Sequence, residues 1–323
     1  MAGARDPADP VLACGEVRTC LLQNSRALPP RDAAELLRLR PDERVRLSER
    51  PNAHAVSPDV LTGVDCRLPA ASGARVRAVG TVVTRATLTE GRVLQVAAHF
   101  RCPRAGLDRR QPWAHHLTRP GVVEPFGTLP VRAVVDGFLT DVRQAGEPDL
   151  GAIAERLLAR LLRDGLLDQR APFKSRRTRL RWAALRASDG DGPSIARFTL
   201  AENGLRTVEL RVPEGIEPSA VVGLCEDLAL HDWLLSTLVH LVERSRLGSS
   251  KEHDAVSALR PAVHHLLHLW MPNARVHASL GSLWEVLERE PGFTRQWQTL
   301  VQRIRDHLSL LAVALPRDVL ADN

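Results

Sequence analysis

The sequence predicts an α+β fold, and three features predict it. Through the first third of the 323-residue chain, apolar and polar side chains alternate between turns that carry glycine or proline. Over residues 178–212 the alternation returns and brackets Asn203-Gly204, a strong hairpin signal. Beyond Pro218 the apolar residues recur at threes and fours, as on helices that bury one face. The expected division is a β-rich N-terminal domain, residues 1–165, ending in connecting helices, and a C-terminal domain, residues 166–323. In the second, α-helices cover a small antiparallel meander.

The elements follow in order. "VLACGEVRTCLLQ" (11–23) reads as a half-buried strand, and "RDAAELLRLR" (31–40), behind two prolines, as a short helix. "LTGVDCRL" (61–68) is a further strand. "ARVRAVGTVVTRATL" and "GRVLQVAAHF" flank "TEG" (89–91), a hairpin in which glycine takes a positive φ. Residues 101–130, rich in Pro, Gly and Arg, read as a long ordered loop. Helical spacing covers 131–144 and 150–165, with Gly165 as a C-cap. "RTRLRWAAL" alternates Arg outward with Leu180, Trp182 and Ala184 inward, and "IARFTLA" and "GLRTVELRVP" complete the meander around "ENG" (202–204). Helices are expected over 218–245, over 252–270 with a break at Pro261, over 279–289 and over 294–315. In the last, Trp297, Leu300, Val301, Ile304, Leu308 and Leu311 form the buried stripe.

Composition narrows the class. An apolar fraction of 44% with 25% charged residues suits a soluble globular chain and not a disordered one. "MAGARDPADP" lacks the basic and apolar regions of a signal peptide, and no apolar run reaches the roughly 18 residues of a membrane span. A cytoplasmic address without membrane contact is therefore expected. Five cysteines (14, 20, 66, 102 and 225) with no C-x-x-C pair read as reduced, buried thiols rather than disulfides or a zinc site. Net charge is +6, yet Lys174, Arg176, Arg177, Arg179 and Arg181 supply +5 within eight positions that hold no acid. The basicity is local.

Chemistry is sparse. Phosphate-loop, dinucleotide, metalloprotease and serine-hydrolase motifs are all lacking, and "SDGDGPS" (188–194) fails as a calcium loop because Pro193 takes a ligand position. No cofactor is expected. His264 and His268 stand one helical turn apart, a metal-compatible spacing, but a third ligand is missing; His253 is about three turns away, and a solvated face is the better reading. Asp227 and His231 fall about 40° apart inside the apolar arc built by Leu224, Leu228, Leu234, Leu235, Leu238, Val239 and Val242, with Asp232, Ser236, His240 and Glu243 opposite. A carboxylate beside a buried imidazole is an acid–base arrangement, and equally a way for two buried polar groups to satisfy each other. The pair is expected to be buried and within hydrogen-bonding reach, and the structural role is favoured. On the basic strand, Arg177, Arg179 and Arg181 project from one face. No aromatic is interleaved among them for stacking on bases, so pairing with acids of a protein partner, or of the N-terminal domain, is expected at least as much as nucleic acid.

"GEVRTCLLQNS" (15–25), "LTGVDCRLP" (61–69), "LCEDLALHDWLL" (224–235), "LRPAVHHLLHLWMP" (259–272) and "GFTRQWQTLVQRIRDHL" (292–308) together resemble a family of Streptomyces-type actinobacterial proteins of unassigned activity. The resemblance spans nearly the whole chain. It brings no catalytic residue, but implies a neighbourhood of variant P-loop and methyltransferase genes and hence a multi-protein system. The expected function is a non-enzymatic interaction or regulatory component. The alternatives are a nucleic-acid or nucleotide-associated protein using residues 174–181, and a hydrolase or transferase built on Asp227 and His231.

Overall fold

In a computed structural model, which describes residues 10–69, 76–103, 106–140, 145–188, 190–245, 259–261 and 263–318, the chain is α+β, with ten strands joined in one sheet. β1 (Pro10–Leu21) lies in its middle, hydrogen-bonded to β6 (Val93–Pro103) on one side and β8 (Thr178–Arg186) on the other, both antiparallel. Beyond β6 comes β5 (Val76–Thr89), which pairs with β3 (His54–Val56), itself followed by β2 (Arg46–Ser48) at that edge; β4 (Val60–Leu68) and β7 (Val123–Pro125) also pair with β5. Beyond β8 come β10 (Leu205–Val212) and β9 (Ser194–Leu200). Leu12 through Thr19 pair with Leu185 through Thr178, so the sheet crosses the expected 165/166 division without interruption.

The expected meander is replaced by a different order. β10, not β9, sits beside β8, and the two run parallel; β9 pairs only with β10 and forms the edge. Burial explains the choice. Along β10, Leu205, Val208 and Leu210 are buried, as an interior strand covered on both faces requires, whereas β9 is mostly exposed and suits an edge. The Asn203-Gly204 hairpin forms as expected, with Gly204 at φ +79° and the Asn203 side chain accepting from the Leu205 amide. The chain between β8 and β9 therefore passes β10 to reach the edge rather than joining two paired strands, and Asp189 within it lies outside the described residues.

Two apolar layers cover the sheet. On one face, Leu12, Cys14, Cys20, Leu94, Ala98, Phe100, Ala183 and Leu185 pack under α1 (Pro30–Leu36), α3 (Val131–Leu139) and α4 (Leu150–Leu161). On the other, Val17, Leu21, Ala97, Leu180, Trp182, Val208 and Leu210 meet α5 (Pro218–Arg244), α6 (Ser282–Arg289) and α7 (Phe293–Asp318). A short α2 (Trp113–Leu117) and β7 punctuate the connection that reads as a loop in sequence. α4 ends at Leu161, four residues before the expected cap, so Gly165 lies in a turn beyond it.

Residues 252–258 of the helix expected over 252–270 lie outside the described set. Residues 263–265 are helical, and a 3-10 turn follows at Leu267–Leu269. In α7, Trp297 and Ile304 are buried and Leu300, Val301 and Leu308 pack partly against the core; the Leu311 side chain is outside the described set. All five cysteines are buried and unbonded, and burial pushes the Cys20 and Cys66 thiols up to about 12. No helix among the described residues is long and apolar enough to cross a membrane.

Candidate functional site

The basic run does not form one outward face. Strand alternation aims Arg179, Arg181, Ala183 and Leu185 at the layer of α3 and α4, which leaves no wet side on β8. Arg181 is only 2% exposed, against the expectation of a solvated docking residue. Its Nε donates to Glu16 Oε2 at 3.1 Å, its Nη1 donates to the Phe138 carbonyl at 3.2 Å and to the Thr140 carbonyl, and the guanidinium lies over the Phe138 ring. Arg179 is half-buried on the same face, opposite Arg18 of β1. Arg177 is exposed and bonded to Glu155 of α4. Lys174 and Arg176, which precede the strand, are exposed.

What the run does form is one wall of a groove of about 880 Å³. β8 and β10 are parallel, so their N-terminal ends open at the same margin of the sheet. There Arg176, Arg177 and Arg179 meet Arg206 of β10, the second half of α5, and the start of α7. Trp233 Nε1 donates to the Arg176 carbonyl at 3.0 Å and anchors the approach to β8. Arg206 is held by Asp232 Oδ1 at 2.8 Å and by Ser236 Oγ at 2.7 Å; burial raises the Asp232 carboxyl in spite of that partner. Five arginines (18, 176, 177, 179 and 206) line the groove against three acids (Glu202, Asp232 and Glu243), an excess of positive charge that Glu155 and Glu16, paired with Arg177 and Arg18, partly offset. Phe198, Leu200, Leu235, Val239 and Phe293 give it an apolar component, and Leu200 is 64% exposed.

The residues missed in sequence are those of β9, α5 and α7, because each contributes only an end or one side to the groove. Leu200, an apolar residue at the end of a polar edge strand, was the signal available. Asp232 and Ser236, expected on a solvent face of α5, instead meet Arg206, and Glu226 meets Arg85 through two bonds of 2.7 and 2.8 Å. α5 is enclosed around most of its circumference over its first half.

Asp227 and His231 are each 1% exposed, as the helical phase predicts. His231 Nδ1 bonds the Asp227 carbonyl at 2.7 Å and stands 3.6 Å from the carboxylate. That carboxylate accepts from the Asn273 amide at 3.1 Å and faces Arg275 at 3.6 Å. The Trp270 and Trp284 rings meet the imidazole edge-on, at 5.0 and 5.3 Å. The pair thus ties α5 to the 270–275 segment from within the core, away from the groove. His264 and His268 are exposed, with the helix broken between them at Leu266, and neither joins a cluster of metal donors among the described residues.

Burial is the largest influence on His231 and holds its pKa below the ordinary imidazole value; Arg275 acts in the same sense, and Asp227 and Glu288 oppose it. The imidazole is therefore neutral when folded, while the unfolded chain takes up a proton near pH 6.5. Stability from this residue is complete above that pH and is lost as the pH falls towards the depressed folded pKa. The thermal midpoint is expected to drop between about pH 7 and about pH 5, and to drop less steeply in His231→Gln. Equal slopes in the two proteins would show that His231 takes no part.

No protein-family model, curated protein or solved structure matches the chain.

Proposed function

We propose that the chain is a cytoplasmic, non-enzymatic component of a multi-protein system of the actinobacterial type its segments resemble, and that it docks an acidic, amphipathic segment of a partner protein. The observation that carries this reading is the groove: a cationic wall of arginines facing an apolar one, open at the margin of the sheet. A segment with carboxylates on one side and Leu- or Phe-like residues on the other complements both walls at once. Charge complementarity would speed and orient its approach, and burial of the apolar side would slow its departure. Enclosure of His231 between two tryptophans gives a substrate no route to the Asp227–His231 pair, which supports a structural role for it. Phe198 and Phe293 meet edge-on at 5.8 Å, and Phe293 is 3% exposed, which leaves little open ring face for stacking on bases.

The test compares wild type with the double variant Arg176→Glu/Leu200→Asp. Both residues are exposed, so the thermal midpoint is expected to hold. In fluorescence anisotropy, labelled peptides alternating Glu with Leu or Phe should bind wild type, more weakly as salt rises. They should bind the variant at least about tenfold less tightly, a difference of about 1.4 kcal/mol. Equal peptide binding by both proteins would remove the groove from consideration. Binding of single-stranded oligonucleotides but not peptides would put the nucleic-acid reading in its place.

A further inference from the structure

We infer that His115, His116 and Glu124 form a binding site for a divalent transition-metal cation of the zinc class. One donor atom from each residue lies within 4.8 Å of the others. His115 Nε2 is 2.9 Å and His116 Nδ1 3.1 Å from the same oxygen, Glu124 Oε2. Bonds of about 2.1 Å to one ion put donor atoms about 3.0 Å apart in an octahedral arrangement and about 3.4 Å apart in a tetrahedral one. Two of the three separations, those to Glu124 Oε2, already fall near these values, and the two histidines lie within 4.8 Å.

The second observation is His116 itself. It is 1% exposed, and among the described residues neither ring nitrogen makes an aligned hydrogen bond, Nδ1 standing 3.1 Å from Glu124 Oε2 without one. Burying an imidazole without an aligned hydrogen bond costs more than an apolar residue of the same size in that place, and a bound ligand at the ring would offset that cost. A cation at Nδ1 is such a partner. The setting is held from several sides. Trp113 packs over Gly63 of β4, where a Cβ would come within 3.1 Å of the indole, and meets His116 edge-on. Glu124 lies on β7, registered against Val79 of β5. Arg119 bonds the other carboxylate oxygen, Oε1, which orients Glu124 with Oε2 towards the histidines. Two imidazoles and one carboxylate favour zinc and its first-row neighbours over magnesium or calcium. The site stands apart from the groove reading and does not rest on it.

The test is zinc titration of the full chain, freed of metal by a chelator, followed by calorimetry and thermal melting. Wild type should bind one zinc ion per chain and melt higher with zinc. His115→Ala, at a half-exposed position, should fold and bind at least 100-fold more weakly, with no rise in melting temperature. Glu124→Gln provides a second loss, and His264→Ala/His268→Ala should bind as wild type does. Zinc binding unaffected by His115→Ala, binding lost instead with the 264/268 variant, or no binding by wild type would each overturn the site and leave an ion pair of Glu124 with its neighbours.

Discussion

Replacing Arg181 with Met is expected to lower stability by up to about 3–5 kcal/mol, the cost of removing one partner from a buried ion pair. Glu16 is wholly buried and would lose the Arg181 bond at 3.1 Å, while the contact with Arg18 at 2.9 Å would remain. The carbonyls of Phe138 and Thr140, at the end of α3, would lose their donor as well. A cation there also suits the negative end of a helix. Arg181 thus fastens three elements, β1, β8 and α3, from one position in the sheet. The double variant Glu16→Leu/Arg181→Met removes both charges. In urea titrations it should be less destabilised than the sum of the two single variants, with a coupling of about 2 kcal/mol. Arg176→Gln, in the same basic run but exposed, should change stability by less than about 0.5 kcal/mol. A loss under about 1 kcal/mol for Arg181→Met would mean that water reaches the pair and that the outward reading of the run was sound.

That contrast shows where local sequence stops being informative. Period-two spacing identifies β8 and aims Leu180 and Trp182 at the C-terminal helices, because both are consequences of the pleat. It cannot tell whether the opposite face is wet, since that depends on α3 and α4 arriving from some 20 to 50 residues upstream. An arginine on a covered face looks the same in sequence as one in solvent until its acid is found, and Glu16 is 165 residues away. Strand order fails for the same reason: the Asn203-Gly204 turn specifies that β9 and β10 pair, not which of them faces β8. α5 was legible at both ends, from Pro218 and from its helical period, and so was the burial of Asp227 and His231. Its outer face was legible only in part: Glu243 is exposed, but Asp232 and Ser236 meet Arg206, which reaches them from β10. The groove draws on the ends of several elements, and the metal donors on adjacent histidines and a three-residue strand inside an apparent loop. Neither has a spacing that sequence patterns register.

Truncating Trp182 to Ala is expected to cost about 3–5 kcal/mol, in the range for emptying a large aromatic position in a core. The ring is 1% exposed and lies among Val17, Leu180 and Val208 in the layer beneath α5. It also crosses the neighbouring strand: Gly15 is its register partner, and a Cβ there would fall 2.3 Å from the indole. β1 therefore carries glycine at its centre, in spite of the intrinsic weakness of glycine in a strand, because the indole occupies the space a side chain would take. This predicts a reciprocal dependence. Gly15→Ala alone should destabilise by forcing the indole aside, whereas in the Trp182→Ala background the same methyl enters vacated space and should restore part of the loss. Measured as a double-variant cycle in urea, the coupling should reach about 1–3 kcal/mol in the compensating direction. Simple additivity would mean that Trp182 does not lie across Gly15, and the register of β1 against β8, which joins the two halves of the chain, would have to be redrawn.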